Sequence, residues 1–369
     1  MERTLARRRG VAVVVLACLA IAAFACGATL GDGAESPQPG PAETLSLQHL
    51  AGERIAVGVT GTSVSPGLRG AIREGRVAGV ILFAGNFPTR AAGTRLITRL
   101  QAIPRPRKLR DPLLIMVDQE GGQVKRLSGA PTASAAEMGG RGAVFSARQG
   151  RRTAANLRDV GVNVDLAPVL DVGRPGGVVA ETERSFGSTA ARVGATAVPF
   201  AKALEAGDIV ATGKHFPGFG DARENTDFST ERIDLSKREL RAVDEKPYAA
   251  FIAAGGRMVM LSTAIYPAFS DRPAAFTRAI ATGELRDRLG FEGVTVTDAL
   301  ETPAVDAFGG PGKAAVAGVR AGADLLLFGR LGPAERAYRT LLAKLRSRAL
   351  SRSQFEPAVE RVLNLRAEL

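Results

Sequence analysis

The sequence predicts an α/β chain whose eight strands close into a (β/α)₈ barrel. Short β-branched apolar runs alternate with longer amphipathic segments along most of the chain. The runs are mostly continuous in hydrophobicity, as strands buried on both faces are. No Gly-x-Gly-x-x-Gly follows the first run, which argues against an open dinucleotide-binding sheet. The predicted strands are residues 55–59, 77–83, 113–117, 162–166, 209–212, 258–261, 294–296 and 324–328. Residues 190–206, 236–254, 277–288 and 313–321 read as helices between them, and 334–350 and 353–369 as two closing helices. The 369 residues accommodate one such barrel, which typically takes about 250.

The barrel is assigned to residues 49–369, because the start of the chain has a different character. Arg3, Arg7, Arg8 and Arg9 precede an apolar stretch, 11–25, that is too short to span a bilayer comfortably. It ends in Ala23-Phe24-Ala25-Cys26, with small residues at −3 and −1. Residues 1–26 therefore read as a secretory signal of lipoprotein type, with Cys26 as the lipidated residue and membrane anchor. Cys18 is a second candidate behind a very short apolar segment, and the triple Arg suggests twin-arginine export. Residues 27–48, with Pro37, Pro39 and Pro41, read as a flexible tether. Both cysteines lie in the leader, so the barrel has no disulfide, Cys-ligated metal or Cys nucleophile.

The net charge is +12, and removing the leader's four Arg and one Glu leaves +9. The basic residues are spread without aromatic interleaving, and no nucleic-acid motif is present. A basic surface suits an anionic cell envelope.

Barrel enzymes build their sites at the C-terminal ends of strands. Ala84-Gly85-Asn86 follows the second predicted strand, Asp118-Gln119-Glu120-Gly121-Gly122 the third, and Ala167-Pro168-Val169-Leu170-Asp171 the fourth. Lys214-His215-Phe216-Pro217-Gly218 follows the fifth, and Thr297-Asp298 the seventh. The chain has only two histidines, and Lys and His are costly to bury without partners. Carboxylates, amides and cations gathered at one end point to a polyol or sugar pocket.

These segments, with Glu183-Arg184-Ser185-Phe186-Gly187, resemble in order and spacing glycoside hydrolase family 3, in its single-domain β-N-acetylglucosaminidase branch. The likeness runs from about residue 50 to residue 330. It implies a nucleophile at Asp298, which would form a glycosyl-enzyme intermediate. It assigns Asp118, Arg184, Lys214 and His215 to gripping the sugar hydroxyls. Glu120 is expected as a structural partner within its loop, and Asp171 as either structural or functional. No metal or organic cofactor is implied, since no His/Cys cluster could hold zinc.

One part of the pattern departs from the branch. Its loop after Lys-His carries a Gly-His-Gly and then an Asp-Ser-His, whose His is the general acid/base. Here Phe219 replaces the first His, and no His follows Asp227. After the sixth strand, Ser262-Thr263 stands where the branch often has His. The proton donors left on the loop are Asp227, which matches the dyad Asp, then Glu224 and Asp221.

The leading reading is an exported retaining glycosidase acting on β-linked sugars, N-acetylglucosamine of cell-wall fragments in particular. Its partners are a carbohydrate substrate and the membrane. A second reading is a non-catalytic, envelope-anchored sugar-binding protein on the same barrel. A third, an aldolase using Lys214 as a Schiff base, ranks low, because only a weak phosphate-loop signal, Gly329-Arg330-Leu331-Gly332, follows the last strand.

Overall fold

A computed structural model describes residues 40–369. All eight predicted strands form: β1 (Ile55–Gly58), β2 (Gly79–Leu82), β3 (Leu114–Val117), β4 (Val164–Asp165), β5 (Val210–Phe216), β6 (Met258–Leu261), β7 (Val294–Thr297) and β8 (Leu326–Phe328). The order is β7-β6-β5-β4-β3-β2-β1-β8, with every paired strand parallel. A parallel bridge between Val296 and Leu325 joins the two outer strands and closes the barrel.

Strand residues are buried on both faces, which is why their runs are continuously apolar. On β3, Leu114 and Met116 face the barrel interior with Val164, Met258 and Met260, whereas Ile115 and Val117 face the helices. Val362 and Leu365 of the last helix, Glu356–Ala367, join the interior cluster at one end. Below β8, buried Asp324 takes Arg286 at 2.6 Å and Arg361 at 2.7 Å. That acid was expected as the first residue of the eighth strand, but it works as an ion-pair hub at the opposite end from the site. Between β1 and β8 the backbones nearly touch: a Cβ on Gly58 would lie 2.0 Å from the Gly329 carbonyl oxygen.

Three expectations change. Strand β5 runs on to Phe216, so Lys214 and His215 are its last residues and not a loop beyond it. The segment 236–254 is not one helix. It comprises Lys237–Glu239, a wide π-type turn at Leu240–Asp244, and Lys246–Ala253. Pro247 has no N–H to donate and sits in the first turn of the last piece, where none is needed. Residues 40–48, assigned to the tether, pack on the barrel. Ala42 and Leu45 are buried, the Ala42 N–H donates to Glu360 at 2.9 Å, and Arg352 donates to the carbonyls of Glu43 and Leu45. The signal segment, with Cys18 and Cys26, lies outside the described residues. No described helix is long and apolar enough to cross a membrane.

Candidate active site

The C-terminal strand ends enclose a cavity of about 150 Å³ lined by Asp118, Glu120, Arg126, Arg184, Lys214, His215, Asp227, Ser262 and Asp298, among others. Its centre is an ion network. Lys214, 1% exposed, places Nζ 2.7 Å from Asp118 and 2.7 Å from Glu120. Arg184 holds Glu120 through two bonds, at 2.9 and 2.8 Å, and Arg126 reaches Asp118 at 3.2 Å. Burial alone would raise both carboxyls, but the cations outweigh it. Arg184 and Lys214 hold Glu120 well below the carboxylate range, and Lys214 and Arg126 hold Asp118 below its ordinary value. Lys214 is kept charged in the same way: burial lowers it, and Asp118 and Glu120 more than compensate.

His215 ends the same strand. Asp171 accepts from its Nδ1 at 2.8 Å and from its backbone N–H at 3.1 Å, and also from the Phe219 N–H at 2.7 Å. Asp171 therefore binds backbone amides and orients the imidazole, leaving Nε2 for a ligand. The Phe219 ring lies 5.5 Å from the imidazole, centroid to centroid, so an apolar group stands where the branch has its first His.

Asp298 follows β7. Its N–H donates to the Leu261 carbonyl at 3.0 Å, and its Oδ1 accepts from the Ala299 N–H at 2.8 Å. Burial raises its carboxyl, His215 offsets part of that, and Asp227 adds to it. Of the three loop acids, only Asp227 lines the cavity. It is exposed, and the Asn225 side chain brackets it at 3.1 and 3.0 Å. Glu224 is exposed and Asp221 half-buried, both off the cavity wall, so the expectation that Glu224 shares the site is not met. Ser262 lines the wall after β6, with its Oγ accepting the Ala264 N–H at 3.0 Å.

Two contributors escaped the sequence reading. Arg126 sits in an irregular loop, with no strand end to mark it. Gln119 holds that loop: its Oε1 accepts the Arg126 and Leu127 N–H groups, and its Nε2 donates to the Leu127 and Ala130 carbonyls. Asp165, at the end of β4, lies fully buried close to the ion network. Burial pushes its carboxyl up to about 8, with Oδ1 accepting the Gln119 N–H and Oδ2 unpartnered. Burial therefore favours its neutral form. The polar residue inside its apolar strand was the available signal.

A parallel barrel with a buried cation–carboxylate grip and a separate half-buried carboxylate is the arrangement of a glycosidase. Residues 54–365 match the glycosyl hydrolase family 3 N-terminal domain. The chain is 35% identical over 339 residues to a secreted glycosyl hydrolase of Arthroderma benhamiae, covering 89% of this chain and 96% of that protein. It is 34% identical over 285 residues to a beta-hexosaminidase of Xylella fastidiosa, covering 74% and 82%. A family 3 beta-N-acetylglucosaminidase from a Paenibacillus species superposes with a TM-score of 0.82 at 32% identity. That likeness covers 88% of this chain but only 62% of the Paenibacillus protein. The chain belongs to glycosyl hydrolase family 3, whose hexosaminidase-like members hydrolyse O-glycosyl bonds.

Proposed function

We propose that the protein is an exported, retaining β-N-acetylhexosaminidase acting on β-linked N-acetylglucosamine of cell-wall-type oligosaccharides. The observation that carries this is the placing of Asp298 and Asp227 on one cavity wall with the Asp118–Lys214–Glu120–Arg184 network. The network grips the hydroxyls of the terminal sugar: carboxylates accept hydroxyl protons, and Lys214 and the arginines donate to hydroxyl oxygens. The Asp298 carboxylate attacks the anomeric carbon, and the bond to the leaving oxygen breaks as that oxygen takes the proton of Asp227. Water then attacks the same carbon, gives its proton to Asp227, and releases Asp298 and a sugar of unchanged anomeric configuration. His215, fixed by Asp171, lowers the cost of ionising Asp298 in a buried setting.

The choice of sugar draws support from the beta-hexosaminidase and beta-N-acetylglucosaminidase relatives. Export draws support from the leader and from the secreted relative, and anchoring through Cys26 from the leader alone. The test is a panel of aryl β-N-acetylglucosaminides and aryl β-glucosides with good and poor leaving groups. Turnover confined to the first series is expected. Turnover of glucosides alone would overturn the sugar assignment.

A second reading, a sugar-binding protein without turnover, is favoured by Phe219 standing in place of an imidazole and by the exposure of Asp227. Sugar binding without turnover of even an activated glycoside would establish it.

A further inference from the structure

The N-terminal ends of the strands, opposite the cavity, carry two basic segments. One is the turn leading into β3, which exposes Arg107, Lys108 and Arg110. The other ends the helix Leu331–Arg346, which returns from β8, and exposes Lys344, Arg346 and Arg348. Helices of a parallel barrel run back against its strands, so both segments lie at the same end. Among the described residues none of these six forms an ion pair with a carboxylate, whereas Arg352 beyond them takes Glu356 at 2.7 Å. Other acids nearby are engaged: Glu53 lies buried against Arg366, and Glu360 accepts the Ala42 N–H.

The fold holds these charges in place. Buried Arg366 donates to the carbonyls of Leu109, Asp111 and Pro112, and Arg105 to those of Leu109 and Arg110, which fixes the turn against the last helix. The first described residues run between the two segments. Lys108 donates to the Thr44 carbonyl at 3.0 Å, and Arg352 to the Glu43 and Leu45 carbonyls at 2.8 and 3.1 Å. The chain therefore enters the barrel at this face, and only residues 27–39 separate Cys26 from it in the sequence. Basic side chains held within a Debye length of an anionic bilayer, about 8 Å at physiological salt, each add to its affinity.

We propose that this face is a docking surface for anionic phospholipid headgroups. It seats the barrel on the membrane with the cavity mouth turned away from the lipid. The proposal rests on the reading of export to the envelope, and not on hydrolysis.

The test uses residues 27–369, which keep the whole barrel core and the docked residues before it. The protein is sedimented with vesicles of phosphatidylglycerol mixed with phosphatidylcholine, and of phosphatidylcholine alone. Binding is expected to the mixed vesicles only, and should fall as salt rises. Two triple variants, Arg107→Gln/Lys108→Gln/Arg110→Gln and Lys344→Gln/Arg346→Gln/Arg348→Gln, should each weaken it about a hundredfold. Denaturation midpoints show which of them fold, and one folded triple is enough. A control triple, Arg148→Gln/Arg151→Gln/Arg152→Gln, removes the same charge from the outer helix Ala143–Arg158 and should bind much as native protein does. Equal losses in all three triples, no loss, or no binding to the mixed vesicles would overturn the docking face. The chain tested lacks Cys26, so failure of the face and failure of the lipid anchor, read by fractionation of Cys26→Ser, remain separate results.

Discussion

Lys214 is the residue on which the sugar grip depends, because it is the one cation touching both Asp118 and Glu120. Replacing it with Met leaves two buried carboxylates short of a partner. Breaking a buried pair in this way costs about 3 kcal/mol or more. Lys214→Met should lower the denaturation midpoint accordingly and weaken sugar binding, which denaturant titration and calorimetry would read. Asp165 works in the other direction. Its carboxyl sits near 8 in the fold against about 3.9 in an unfolded chain, so folding takes up a proton between those values. Its contribution to stability is full below pH 4 and is lost as pH rises towards 8, then levels off. An Asp165→Asn variant carries no such dependence. The difference in Tm between Asp165→Asn and native protein should therefore shift in favour of the variant from pH 5 to pH 8. A constant difference across that range would contradict a neutral Asp165.

At the scale of elements, the strand end of β5 and the loop behind it set both the grip and the proton supply. If Asp227 is the donor, Asp227→Ala should cost about 10²–10⁴-fold with poor leaving groups and little with activated aryl glycosides. Glu224→Ala and Asp221→Ala should stay near native, since neither side chain lines the cavity. A leaving-group series for all three checks this, and equal rates for native protein and Asp227→Ala would remove Asp227 from the mechanism. The same region shows what was legible in the sequence. The eight strands were legible because burial on both faces leaves a continuous apolar run, and Asp118, Lys214 and Asp298 because they follow such runs. The extension of β5 was not. Lys214 looks like a strand terminator until Asp118, 96 residues away, is brought beside it. Arg126 depends on the Gln119 clamp, and Asp227 lines the cavity where Glu224, three residues before it, does not. Both are three-dimensional facts with no local pattern.

For the whole molecule, the buried ion network, the Asp171–His215 pair and the closed barrel frame Asp298, whose carboxylate has no cation in direct contact among the described residues. The leader should deliver this frame to the envelope. Cys26→Ser should abolish processing and membrane association in cell fractionation. If it leaves both unchanged, and Cys18→Ser does too, the lipid anchor is excluded. The central claim is double displacement at Asp298, and intact-protein mass spectrometry tests it most directly. A 5-fluoro N-acetylglucosamine derivative bearing a good leaving group, which keeps the 2-acetamido group, would slow departure of the sugar from the enzyme. Incubation with it should add the mass of one glycosyl group, mapped by peptide digestion to Asp298 and absent in Asp298→Ala. A label on another carboxylate, or undiminished turnover by Asp298→Ala, would contradict the account.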